Sequence, residues 1–228
     1  VLVVGATGRL GVRIARALRA RDDRLLLTAR DATKLAVMQS ELGGEEFVKT
    51  VCADLTARDA PERIAADVRK EGGIDDMILA CGPFPRTPFE EVRREDLERT
   101  LAIHAIAPLL LVAALSPELI KSQGAVIALG DAGVTRPYEN HVAYLTAKGA
   151  LQTGLRALAV ELAPHVRINM VALGIVADPE ADADPLRTHR LAARSPLGRF
   201  GTSDEVAHVV LALLDATWAT GEIWGTGR

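Results

Sequence analysis

A chain of 228 residues, 49% hydrophobic, is long enough to bury one sizeable core and too apolar to be disordered. Its net charge of −3 argues against a nucleic-acid binder, which carries a basic face. With only 4% aromatic residues, aliphatic side chains and alanine must fill the interior.

Val1 to Val4 is a short apolar strand stopped by Gly5. Val12 to Arg21 has helical spacing, with Ile14, Ala17 and Leu18 on one side. Leu25 to Thr28 is a second buried strand, followed by a helix from Thr33 to Glu41 that Gly43 and Gly44 close. Phe47 to Ala53 is a third strand, Ala60 to Lys70 a helix, and Met77 to Cys81 a fourth strand ended by Gly82-Pro83. A long helix from Arg94 to Leu115 should be interrupted or bent at Pro108. Ala125 to Leu129 is strand five, and the helix from Ala143 to Ala163 stops at Pro164. Arg167 to Ala172 is strand six, Ser203 caps a helix reaching Asp215, and Glu222 to Trp224 suits a seventh strand.

Strands without polar alternation are buried on both faces, and strands alternating with helices give a parallel sheet. The expected fold is a single α/β domain over residues 1–228, a doubly wound parallel sheet. Opening inside a strand, the chain is expected to lack a few N-terminal residues. The segment Ala177 to Ser195, rich in Asp, Pro and Arg, is either a mobile cover over the ligand crevice or an ordinary surface loop.

Gly5-Ala-Thr-Gly8-Arg9-Leu10-Gly11 follows the first strand and opens the first helix. Glycines there allow a tight turn and let the backbone approach a pyrophosphate at the helix N-terminus. Strand two ends Thr28-Ala29-Arg30, with no carboxylate for a ribose 2′-hydroxyl and a guanidinium suited to a 2′-phosphate. NADP(H) is therefore the expected cofactor, although Asp31 could partly neutralise Arg30. Asp54-Leu55 after strand three either contacts an adenine ring or caps a helix. Tyr144 and Lys148 lie four apart, one helical turn from each other. A lysine beside the phenol favours its ionised form, and Asp131, thirteen residues before Tyr144, could orient a substrate or relay a proton.

With these residues the chain resembles a short-chain dehydrogenase/reductase over nearly its whole length. The resemblance is carried by the glycine turn, Asp54, Tyr144 with Lys148, Asn169, Pro196-Leu-Gly-Arg199, Asp204-Glu-Val-Ala207 and Thr220-Gly221. It is similar within that family to the pteridine reductases. They share Asp131 where most members have serine, Arg9-Leu-Gly at the end of the turn, Phe84-Pro-Arg-Thr87-Pro88, Ala147-Lys-Gly-Ala-Leu151 and Glu161-Leu-Ala-Pro164.

The resemblance implies a Rossmann-type fold, a homotetramer and an NADPH-dependent reductase of a small, pterin-like heterocycle. Its cofactor would be held by Gly5, Gly8, Arg9, Leu10, Gly11, Arg30, Asp54, Leu55, Ala80, Cys81, Gly82, Tyr144, Lys148, Gly174 and Val176. Phe84 would stack on the substrate, Arg9 would meet its electron-rich edge, and Asp131 would act with Tyr144 on its protons. Lys148 would hold the nicotinamide ribose and lower the pKa of Tyr144. Two rivals stand beside this reading: a carbonyl or 3-oxoacyl-thioester reductase, and a catalytically silent nucleotide-binding protein.

The chain departs from the family pattern at Leu79-Ala80-Cys81-Gly82, where Asn-Asn-Ala-Gly is usual, and at Leu173-Gly174. At His104, where the family has a helix asparagine, the imidazole either carries a relay with added pH dependence or is simply packed. His141, His165, His189 and His208 lack metal-ligand spacing and read as surface or packing residues, and Trp218 and Trp224 as core or subunit contacts. Cys52 and Cys81 read as buried free thiols. The longest apolar stretch, around Ala105 to Leu115, falls short of the ~20 residues that span a bilayer. A soluble cytoplasmic protein without metal, membrane or nucleic-acid partner is expected.

Overall fold

The computed structural model describes residues 1–177, 189, 191–193 and 195–227. Most of Ala177 to Ser195, expected as a cover over the crevice or an ordinary surface loop, lies outside the described residues. The strands are β1 (Leu2–Val4), β2 (Leu25–Ala29), β3 (Val48–Cys52), β4 (Met77–Leu79), β5 (Ala125–Asp131), β6 (Arg167–Leu173) and β7 (Ile223–Gly225). They form one parallel sheet in the order β3-β2-β1-β4-β5-β6-β7. The order reverses between β1 and β4, and the crevice beyond the carboxyl ends of those strands is where such sheets bind ligands.

Alternate strand residues face opposite layers. Val3, Ile78 and Ile127 join Ile14 and Leu18 of α1 (Arg9–Arg19), Leu35 and Met38 of α2 (Ala32–Glu41) and Val210 of α8 (Ser203–Asp215). Val4, Met77 and Val126 join Ile64 of α3 (Ala60–Lys70), Leu111 of α5 (Ala107–Ala114), Leu119 of α6 (Ser116–Ser122) and Leu155 of α7 (Val142–Glu161). Both faces of the central strands are dry, as their unbroken apolar runs require.

The long helix is interrupted next to Pro108, which sits in the first turn of α5. Its irregularity comes just earlier: α4 (Arg94–Leu101) passes into a π-helical turn over Ala102–Ile106, where Ala107 N–H donates to Ala102 O. The wider turn accommodates Pro108, which lacks an N–H and would otherwise crowd the carbonyl of His104. Arg94–Ala114 is apolar and long enough, by length and composition, to cross a bilayer. However, its first two turns carry Arg94, Glu95, Asp96, Glu98 and Arg99, and Leu111 and Val112 pack fully buried in the core.

Other boundaries also shift. Helix α1 begins at Arg9, before the predicted Val12, and α7 ends at Glu161, short of Pro164. The last helix is capped by Thr202 instead of Ser203: Thr202 Oγ1 accepts from Glu205 N–H, and the Glu205 carboxylate accepts from Thr202 N–H. Cys52 is exposed, not buried, because it ends the edge strand β3. Trp218 is fully exposed and Trp224 partly so, so neither fills the core of the chain.

Candidate active site

Gly5 leaves β1 with φ +81°, and a Cβ there would lie 2.7 Å from Ala80 O at the end of β4. A Cβ on Gly11 would lie 2.9 Å from Ala6 Cα. Glycine is required at both positions, so the first turn of α1 closes against β4. Beyond this turn opens a cavity of about 460 Å³. Gly5 and Gly8 line one wall, Arg30, Asp54 and Leu55 one end, and Ala80, Cys81, Gly82 and His104 the other.

At the first end Asp31 forms no ion pair with Arg30 among the described residues. Its Oδ1 caps α2 by accepting from Lys34 N–H at 3.0 Å, and its Oδ2 faces Lys34 Nζ at 3.7 Å. Asp54 does not cap a helix either; its Oδ1 accepts from Thr56 N–H and Thr56 Oγ1–H, closing the turn after β3. Those two hydrogen bonds, first the backbone one, hold its carboxyl below the usual range.

His104 joins the cavity to a second cluster. It is 1% exposed; its Nε2 is 2.8 Å from Pro83 O, and its Nδ1 has no partner among the described residues. Burial, then the Lys148 charge, pushes its pKa down to about 3. It is therefore neutral in the folded protein near neutral pH, which fits the packed imidazole, one of the two readings of the sequence. Nε2 carries the proton toward Pro83 O, and Nδ1 is a buried acceptor. The ring lies edge-on to Tyr144 at 5.1 Å.

The second cluster gathers Asp131, Tyr144, Lys148 and Phe84. Strand β5 runs two residues further than predicted and places Asp131 at its very end. Asp131 Oδ1 accepts from Gly133 N–H at 2.7 Å, which fixes the carboxylate. Its Oδ2 accepts from Tyr144 OH at 3.1 Å and from Tyr138 OH at 3.0 Å. Lys148 is buried, donates to Leu129 O at 2.8 Å, and lies 5.8 Å from the Tyr144 ring centre. Burial pushes the Lys148 pKa down.

One sequence inference is reversed here. The Tyr144 phenol is pushed above its ordinary value, first by burial, then by the Asp131 charge and by Tyr138. Desolvation and a facing carboxylate outweigh an ammonium more than 5 Å from the ring. Tyr144 is a neutral proton donor in this state.

The surroundings of Phe84 also differ from expectation. His141 stacks on its ring at 4.4 Å with 19° between planes, so one face is already covered. The pairing of Thr87 with His141, with Thr87 N–H donating to Asn140 O at 2.6 Å, fastens the Phe84 segment to the loop before α7. His141 is thus a packing residue, one of the two roles the sequence left it, and it packs on a candidate site residue. Tyr138 went unrecognised in the sequence. The signal was present: the chain has two tyrosines, six positions apart, both following Asp131.

Arg9 turns away from the cavity, donating to Val176 O at 3.0 Å and to Ser203 Oγ at 3.2 Å. It ties the first turn of α1 to the segment after β6. Leu10 packs against the α1/α8 core layer, and Gly174 N–H donates to Thr226 O. Gly174 and Val176 are not among the residues that line the cavity. Asn169 is structural: its side chain donates to Ala219 O and accepts from Glu222 N–H. Among the described residues no three His, Cys, Asp or Glu side chains converge to hold a metal ion.

A family model described as enoyl-(acyl carrier protein) reductase matches residues 5–225. L-xylulose reductase from Bos taurus is 31% identical over 219 residues, covering 93% of this chain and 87% of that protein. Glucose 1-dehydrogenase from Gluconobacter oxydans is 27% identical over 97% of this chain and 88% of that protein. A Brucella melitensis structure described as a short-chain dehydrogenase/reductase, glucose/ribitol dehydrogenase, superposes with a TM-score of 0.91 at 30% identity, covering 99% and 93% of the two chains. These relatives are named for sugars, not pteridines. Together with the β1–α1 glycine turn and the Tyr144/Lys148 pair, they establish that the chain belongs to the short-chain dehydrogenase/reductase family of oxidoreductases.

Proposed function

We propose that the protein is an NADPH-dependent reductase whose substrate is a small, pterin-like heterocycle with a polarised C=N bond. The observation that carries this reading is Asp131. Where a hydroxyl would donate to a ketone oxygen, this chain presents a fixed carboxylate that can only accept. A carboxylate beside a developing alkoxide is repulsive, whereas beside an amino-pyrimidine edge or a protonated ring nitrogen it is attractive.

The cofactor fits the residues present. The glycine turn permits close backbone approach, Arg30 and Lys34 line the end suited to a 2′-phosphate, and the buried Nδ1 of His104 has no donor among the described residues. Lys148 has one hydrogen bond among the described residues, leaving two of its three donors for ribose hydroxyls. When bound, the reduced nicotinamide supplies the hydride. Tyr144, neutral and hydrogen-bonded to Asp131, gives a proton to the substrate atom that gains charge. Asp131 orients the substrate, the exposed face of Phe84 supports it, and burial around Tyr144 and Lys148 excludes water.

The covered face of Phe84 and the sugar-named relatives favour a second reading, a carbonyl reductase acting on a ketose-like substrate. One experiment separates them: NADPH oxidation at 340 nm with dihydropterins and with ketoses in parallel. Turnover of ketoses alone would overturn the pterin reading. Cofactor binding without turnover of either class would leave a silent nucleotide-binding protein. The same family reading carries a soluble, cytoplasmic homotetramer, supported by the exposed apolar Ile106, Leu110 and Val160 on the π turn, α5 and α7. Light scattering against the 24.3 kDa chain mass tests the assembly.

A further inference from the structure

We propose that Tyr138 is a positioning and proton-supply residue for Tyr144, acting through the Asp131 oxygen that both hydroxyls share. The inference rests on the reductase reading and adds to it the source of the proton. Tyr144 is 7% exposed, so once it has protonated a substrate it has little access to solvent water. On the inner side, His104 Nε2 is engaged at Pro83 O, and buried Lys148 donates to Leu129 O and turns its remaining donors to the cofactor. On the outer side the route is open: Tyr138 is 36% exposed, and its hydroxyl is 3.0 Å from Asp131 Oδ2, against 3.1 Å for Tyr144.

The two phenols share one acceptor. Both donate to one oxygen, and both are held above the ordinary phenol range, first by burial and then by Asp131. Asp131 cannot swing away, because Gly133 N–H holds its other oxygen. The charged and titratable groups around the pair are Asp131, His141 and the Tyr138 ring on the outer side, and Lys148 and His104 on the inner side.

The steps balance. As the hydride reaches the substrate carbon, the Tyr144 O–H bond breaks and its proton goes to the substrate heteroatom. The Tyr138 proton then passes to Asp131 Oδ2 and on to the Tyr144 phenolate. Tyr138, now a phenolate at the surface, takes one proton from solvent or a buffer acid. One solvent proton is consumed for each hydride transferred, and Asp131 ends as it began.

Tyr138→Phe keeps the ring beside Phe84 and His141 and removes only the hydroxyl. With whichever substrate the wild type reduces, kcat should fall roughly tenfold, well short of the ~10²–10⁴-fold expected for losing the acid itself. KM should hold within about twofold, and the solvent deuterium isotope effect on kcat should rise. Imidazolium buffer at constant ionic strength should restore the variant in proportion to its acid form and leave the wild type flat. An unchanged kcat and isotope effect, or a loss that no buffer acid restores, would overturn the relay.

A second measurement needs no turnover. The two tyrosines are the whole tyrosine content of the chain, so tyrosinate absorbance at 295 nm reports on this pair alone. Asp131→Asn should lower the ionisation pH of both equivalents; movement of only one refutes the shared carboxylate. If the wild type reduces neither pterins nor carbonyls, the reductase reading fails, and the relay with it, while the titration still judges the pairing.

Discussion

Acidification should destabilise this protein through His104 in a way that one substitution removes. An imidazole free in the unfolded chain titrates near 6.5, whereas burial lowers the folded value to about 3. Between those values the unfolded chain binds the extra proton, so stability falls as pH falls, beginning near pH 6.5 and reaching its full loss near pH 3. The full difference corresponds to about 5 kcal/mol, and the part lost between pH 7 and pH 5 to about 2 kcal/mol. His104→Asn keeps a donor for Pro83 O and has no proton to gain. Urea unfolding of both proteins at pH 7 and pH 5 isolates the effect, since carboxylates and the other histidines contribute equally to each. The wild type should lose about 2 kcal/mol more than the variant over that interval. Equal losses would show that His104 is not buried and neutral, and the account of its lone Nδ1 would fall with it.

Gly82→Ala should lower stability by about 3 kcal/mol, because a Cβ would lie 2.5 Å from His104 Nδ1 and the backbone φ is +104°. For a chain of this size that is a fall in Tm of roughly 6–12 °C by calorimetry, partly relieved in a His104→Ala background. Asp131→Ser should impair pterin reduction and leave or improve ketone reduction; equal loss of both would refute its proposed role in substrate choice. Arg30→Asp should reverse the NADPH preference by roughly tenfold or more in kcat/KM, the scale of one charged hydrogen bond, while leaving NADH use intact or better.

The sheet was legible because its strands are continuous apolar runs separated by helical periodicity, and that pattern has few solutions. Asp131, Tyr144 and Lys148 were legible for a different reason: spacing along one strand end and one helix fixes which side chains meet. Spacing carries no information on depth, so the direction of the Tyr144 shift was missed. Its sign depends on how fully the ring is buried and on which charge lies nearer. Tyr138 and His141 lie in an irregular segment between β5 and α7, where no period constrains direction. They are positioned by Thr87, more than fifty residues earlier, through the hydrogen bond from its N–H to Asn140 O. The orientation of Arg9 was hidden likewise, since its partners Val176 and Ser203 are remote in the chain.

The π-helical turn at Ala102–Ile106 makes the catalytic region sensitive to length as well as composition. An α-helix advances about 100° per residue and the π turn takes up one residue more, so winding the same residues as an ordinary α-helix would rotate the side chains on one flank by about that angle relative to the other. His104 would leave its place between Pro83 and Tyr144, or Leu111 and Val112 would leave the core. A further residue inserted in this helix and not taken up by the turn forces a choice between the site and the hydrophobic interior.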